Sequence, residues 1–245
     1  ILPYLLDTNL LFIYNSKMPI LEVKNLNINI NGAKILEDIN FKIDKGEALA
    51  IIGPNGAGKT MLLKSLLNLE NYVGKINWQP KTKIGYVPQR MDIETDIPLT
   101  VKEFFFLRGP GIDDAKIKET LASVNLGEDI LNSGFGEISV GQRQRVLIAW
   151  TIIDRPDILL FDEPTADIDI AGQRSIYEMI YNFQRDLNLA VILVSHDLNV
   201  VYRYADKVIC LNKKKICEGA PKEILNTETL FELYGGEKAF YHHHH

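Results

Sequence analysis

The stretch that decides the fold is Ala48-Leu-Ala-Ile-Ile52, then Gly53-Pro-Asn-Gly-Ala-Gly58-Lys59-Thr60, then Met61-Leu-Leu-Lys-Ser-Leu-Leu67. A short continuous apolar run is what a strand buried on both faces requires, whereas the apolar spacing after Thr60 is helical. Between them stands a full match to G-x-x-x-x-G-K-[ST], in the strand–loop–helix context that gives this motif its meaning. Its residues are Gly53, Pro54, Asn55, Gly56, Ala57, Gly58, Lys59 and Thr60. The glycines let backbone N–H groups converge on an anionic phosphate without Cβ clashes, and the following helix points its positive end there. Lys59 is placed to bridge terminal phosphates, and Thr60 offers a hydroxyl to Mg²⁺.

Working outward, Ile158 to Phe161 and Val191 to Val194 repeat the fully apolar pattern, as expected for a mostly parallel sheet. The first run delivers two adjacent carboxylates, Asp162 and Glu163, at the C-terminal strand end where such sheets bind ligands. Asp162 fits as a Mg²⁺ carboxylate and Glu163 as the group that polarises an attacking water. The second run ends at Ser195-His196-Asp197. Upstream, Leu26, Ile28 and Ile30 alternate with Asn27 and Asn29, and Ile39, Phe41 and Ile43 alternate with polar residues. This predicts half-buried antiparallel strands joined by a turn at Asn31-Gly32. From Met91 to Pro156 the pattern is helical, with Thr100-x-x-Glu103 and Ser139-x-x-Gln142 as capping boxes and Asp113 or Asp114 opening another helix. The expected fold is α/β: a mostly parallel core sheet, an N-terminal antiparallel β subdomain and an inserted α-helical subdomain over about residues 91–156.

The 245 residues are 46% apolar and 24% charged, with a net charge of −5. An acidic balance gives no electrostatic reason to expect nucleic acid. The most apolar candidate span, Ile1 to Tyr14, is interrupted by Pro3, Asp7, Thr8 and Asn9 and is too short for a bilayer, so a soluble chain is expected. The first methionine is Met18, so residues 1–17 read as a leader or expression segment outside a domain covering 18–241. His242 to His245 hold four of the five histidines and read as a purification tag, with a metal-binding tail as the alternative. Cys210 and Cys217 cannot make a disulfide framework and are expected to be packing residues on strands flanking the turn Asn212 to Lys215.

Together with these motifs, the order Gln89, Ser139-Val-Gly-Gln142, Asp169 and His196 resembles the ABC ATPase set from about residue 19 to 240. The resemblance implies a P-loop NTPase (RecA-like) core that hydrolyses ATP with Mg²⁺. It makes Gln89 the glutamine that senses Mg²⁺ and the attacking water and links them to membrane subunits. It places His196 against the γ-phosphate beside Glu163. Ser139, Val140, Gly141 and Gln142 resemble the signature that faces the ATP of a second subunit, and Ser139 caps the helix whose free N–H groups would do so. Asp169 falls in the loop that crosses between the paired sites. The implied partners are a second copy in a head-to-tail ATP sandwich, integral membrane permease subunits and, indirectly, an extracytoplasmic substrate-binding protein. The implied location is the cytoplasmic face of the membrane.

Three positions depart from that family. Val140 stands where the signature normally has its first glycine, and Met61 follows Thr60 where a second hydroxyl residue is usual, although its backbone N–H is retained. Ile30 occupies the position where an aromatic ring usually stacks on adenine, unless it is only the last core residue of its strand.

The stretches Lys83 to Arg90, Asp96 to Leu107 and Cys210 to Pro221 resemble the zinc or manganese importer ATPases in loop style. Phe104-Phe105-Phe106 reads either as helix core or as a docking surface for a membrane subunit. Three rival readings remain: an importer ATPase for another substrate, a non-transport ABC ATPase, and an ATP-binding switch that does not hydrolyse. The compact single motif set opposes the second, and Glu163 with His196 opposes the third.

Overall fold

The computed structural model describes residues 18–89, 98–165 and 168–235. The expected leader (1–17), the start of the helical subdomain (through 97), Ala166 and Asp167, and the His242–His245 tail lie outside the described residues. Two sheets organise the chain. β1 (Leu21–Ile30) and β2 (Ala33–Ile43) form an antiparallel hairpin, and β4 (Val73–Trp78) pairs with the other edge of β1. The hairpin turns at Asn31 and Gly32, with φ of 49° and 80°, the doubly left-handed geometry for which Asn-Gly is suited.

The second sheet holds β3 (Ala48–Ile52), β5 (Ile84–Val87), β6 (Ile158–Asp162), β7 (Ala190–Val194), β8 (Lys207–Asn212) and β9 (Lys214–Gly219). Their spatial order is β5-β6-β7-β3-β8-β9, parallel throughout except for the final antiparallel β9. Because β3, β5, β6 and β7 run in one direction, the loops that leave them open on one edge.

Strand alternation divides the core. Ile158, Leu160, Ile192 and Val194 pack on the side of α1 (Lys59–Leu66) and the antiparallel sheet, in one cluster with Leu62, Leu63, Leu26 and Ile28. Leu159, Phe161, Val191 and Leu193 point to the opposite face. There they meet α4 (Val140–Ile152) and α5 (Ile170–Leu187), whose Ile176, Ile180 and Phe183 recur at helical spacing. Ala50, Ile52, Val208 and Cys210 form a third layer with α6 (Leu198–Tyr204), α7 (Pro221–Ile224) and α8 (Thr227–Tyr234).

The helical part continues α4 with α2 (Val101–Phe106), α3 (Asp114–Ser123) and a 3₁₀ turn at Glu128–Asn132. Thr100/Glu103 and Ser139/Gln142 each form the expected reciprocal capping box, and Asp113 rather than Asp114 caps α3. Phe104 and Phe105 are buried, while Phe106 is exposed. No described helix is long and apolar enough to cross a membrane.

One expectation is corrected. Cys210 is fully buried as predicted for packing, but it forms a disulfide with Cys217. The two residues are direct partners across the β8–β9 pair, with Cα atoms 4.8 Å apart. Such opposition brings the thiols within bonding distance, and the count of cysteines alone does not reveal it.

Candidate functional site

The loop after β3 is held by neighbouring strands. Gly53 passes so close to β8 that a Cβ there would lie 2.0 Å from the Leu211 carbonyl oxygen. The Lys213 N–H in the β8–β9 turn donates to the Ala57 carbonyl at 3.1 Å, and the Glu37 N–H of β2 donates to the Lys213 carbonyl at 2.8 Å. Gly58 has φ of 97°, and its missing Cβ makes room for Leu36, which a Cβ would meet at 2.5 Å. Two glycines of the motif are therefore required by close approach to neighbouring strands, independently of any ligand.

Lys59 is 7% exposed, and its Nζ donates to the Gly53 carbonyl at 2.9 Å and the Pro54 carbonyl at 3.1 Å. Burial lowers its pKa from the ordinary lysine value, against the opposing pull of Glu163 and Asp162. Asp162, 2% exposed, ends β6 beside the loop. Burial raises its pKa, partly offset by the Thr60 hydroxyl. Two hard oxygen ligands thus converge beside the loop, a donor set that suits Mg²⁺ when phosphate oxygens and water complete its shell.

Glu163 gathers the remaining residues. Its backbone is left-handed at φ 48°, a conformation that costs about 1–2 kcal/mol for a residue with a side chain, and its N–H donates to the Val194 carbonyl at 3.2 Å. The carboxylate accepts a bond from Gln89 Nε2 at 3.0 Å on Oε2. His196 Nδ1 lies 3.8 Å from the same oxygen, and Lys59 Nζ lies 3.9 Å from Oε1. The His196 side chain is 76% exposed, so it faces the open edge rather than the core. Lys59, Thr60, Gln89, Asp162, Glu163 and His196 thus come from four parallel strands to one place.

Ile30 and Met61 are half-buried against the cluster beneath the hairpin and α1. Ser139 and Gln142 satisfy one another at the start of α4, Val140 is 50% exposed, and among the described residues a Cβ on Gly141 would meet nothing within 4 Å. Among the described residues, no hydrogen bond or ion pair joins the Ser139–Gln142 segment to the phosphate-binding loop. Asp169 caps α5 by accepting the Gly172 N–H at 2.8 Å. Thr165, Gln173, Tyr177 and Ser195, which pack behind Glu163 and His196, were not singled out in the sequence. Their only signal there is a tyrosine and a glutamine one turn apart on a mostly apolar helix face.

A fold of this kind, with a phosphate loop, an acidic strand end and a histidine on one sheet edge, defines a nucleotide-hydrolysing class. The family model described as ABC transporter matches residues 36–166. The zinc import ATP-binding protein ZnuC of Haemophilus influenzae is 36% identical over 235 residues, covering 94% of this chain and 87% of that protein. ZnuC of Rickettsia conorii is 38% identical over 229 residues, covering 93% and 97%. A solved inward-facing structure, provisionally assigned to the metal-chelate type of ABC transporter, superposes with TM-score 0.79 at 30% identity, covering 88% of each chain. CbiO1 of Clostridium perfringens, part of the transporter complex cbiONQ, superposes with TM-score 0.74 at 27% identity, covering 87% and 93%. The chain belongs to the ABC transporter ATP-binding family. It is an ATPase, and an ATP-binding subunit of a transporter complex.

Proposed function

We propose that this chain powers import of zinc across a membrane by MgATP hydrolysis, working as a head-to-tail pair on permease subunits at the cytoplasmic face. The observation that carries the hydrolytic reading is the Glu163 carboxylate, fixed by Gln89 at 3.0 Å and flanked by His196 and Lys59 within 4.0 Å. The loop Gly53 to Thr60 and the Met61 N–H would bind the phosphates, and Thr60, Asp162 and Gln89 would hold Mg²⁺. The ion would supply charge neutralisation of the β- and γ-phosphate oxygens.

Glu163 Oε2 is engaged by Gln89, so Oε1, the oxygen nearer Lys59, takes the proton of the attacking water. The water oxygen bonds to the γ-phosphorus as the bond to the bridging oxygen breaks, leaving ADP and phosphate. His196 steadies the charge that develops on the γ-phosphate. The Ser139 helix, unattached to its own phosphate loop, would cap the γ-phosphate of the partner, with Val140, Gly141 and Gln142 beside it and Asp169 in the crossing loop. Ile30 on the hairpin is the adenine-side residue.

Zinc as cargo rests on the likeness to ZnuC and on loop style. Glu163→Gln should bind ATP normally while hydrolysis falls by about a hundredfold or more, the loss expected of a proton acceptor. Retained hydrolysis rejects the assignment. In a complex reconstituted with permease and extracytoplasmic binding protein, zinc should stimulate hydrolysis; stimulation by another substrate alone rejects the cargo.

A further inference from the structure

We infer that Tyr177 is a positioning residue for hydrolysis, its buried hydroxyl tying the loop that carries Glu163 to helix α5. The inference rests on the assignment of Glu163 to catalysis made above. Tyr177 lies on α5 and is 4% exposed. Its hydroxyl stands 2.9 Å from Thr165 Oγ1. Thr165 follows Glu163 by two residues.

The position of this bridge matters because strand pairing stops there. The last partners of β6 and β7 are Asp162 and Val194, and the last backbone bond between them is Glu163 N–H to the Val194 carbonyl. Beyond it, among the described residues, no backbone hydrogen bond joins the two loops. The Tyr177 hydroxyl anchors the Glu163 loop to α5 where the ladder ends.

Packing alone does not call for that hydroxyl. The neighbouring buried residues of the helix, Ile176, Ile180 and Phe183, are apolar, and Tyr177 is already seated against Tyr204, with ring centroids 6.3 Å apart. A phenylalanine would fill the same volume and leave no polar atom to satisfy. Burial raises the phenol pKa, so the group stays neutral and carries one proton. It can therefore donate to Thr165 Oγ1 or accept from it.

Gln173, one turn earlier on the same helix face, supports the same loop through its backbone. Its Nε2 donates to the Thr165 carbonyl at 3.3 Å and the Ile168 carbonyl at 2.8 Å. A helix that begins at Asp169 thus fixes the loop that carries the proton acceptor. Displacement of that acceptor by a fraction of an ångström degrades the attack geometry without weakening ATP binding.

The test compares full-length wild type, Tyr177→Phe, Thr165→Val and the double variant, measuring kcat, KM for MgATP and the urea unfolding midpoint. Each single variant should lose about tenfold in kcat, the effect of one buried positioning hydrogen bond, with KM unchanged within about twofold. The double variant should be no slower than the worse single, since both remove the same bond. A wild-type kcat for Tyr177→Phe, fully additive losses, or a parallel fall in kcat and rise in KM would each overturn the inference. If Tyr177→Phe fails to fold, Thr165→Val, which breaks the bond from the loop side, carries the test on the same criteria. Glu163→Gln measured alongside separates the two levels. Active Glu163→Gln means the catalytic assignment has failed, whereas inactive Glu163→Gln beside wild-type Tyr177→Phe means that only the positioning role has failed.

Discussion

Gly141 offers a perturbation in which stability and function should move in opposite directions. It occupies the first turn of α4, and among the described residues a Cβ built there meets nothing within 4 Å. Its φ is not in the left-handed region, so alanine is unstrained. Within one chain, therefore, nothing among the described residues requires glycine. Gly141→Ala should stabilise the fold by about 0.5–1 kcal/mol, from the lower entropy of the unfolded chain and the better helix propensity of alanine. For a chain of this size that corresponds to a rise of about 1–4 °C in Tm.

The glycine is explained if another molecule's phosphate approaches this helix end closely. The added methyl would then overpack the contact at a cost of about 1–3 kcal/mol, or roughly five- to 150-fold in hydrolysis. Urea unfolding and steady-state hydrolysis at saturating MgATP, over a range of protein concentrations, measure the two effects. A stabilised variant that hydrolyses ATP at the wild-type rate would refute the claim that the Ser139 helix completes a partner's site.

Asp162 gives a pH-dependent counterpart. Burial raises its folded pKa above the ordinary value of 3.8, so its ionised form destabilises the protein above that folded pKa, and the effect disappears below the unfolded value, where both states are protonated. Asp162→Asn should accordingly raise Tm near pH 7 while abolishing hydrolysis, and the gain should shrink as pH falls toward 4; an equal or lower Tm near pH 7 counts against it. Ile30→Tyr should supply a stacking surface and sharpen selectivity for ATP over GTP by about tenfold. An unchanged ratio of dissociation constants removes Ile30 from the adenine site.

Much of the phosphate end of the site is legible in the residues alone. Gly53 to Thr60 has a mandatory local context, and apolar runs ending in Asp162-Glu163 and Ser195-His196 can hardly be other than strands delivering polar groups to one edge. Capping boxes at Thr100 and Ser139 and the Asn31-Gly32 turn are equally local, because each is satisfied within a few residues of backbone. The triple phenylalanine could not be partitioned in that way. Burial of Phe104 and Phe105 and exposure of Phe106 depend on which helix face meets Phe135 and Trp150.

What tertiary structure alone decided is a matter of pairing across distance. Strand order placed β3 between β7 and β8, which brought Leu211 against Gly53 and the Lys213 backbone onto Ala57. Antiparallel register made a disulfide of Cys210 and Cys217. The crossing of α5 behind the Glu163 loop put the Tyr177 hydroxyl against Thr165. Motif residues are fixed by chemistry that acts over a few bonds, so the sequence by itself determined them. Their supports are fixed by which elements lie side by side, and only the folded chain determines that.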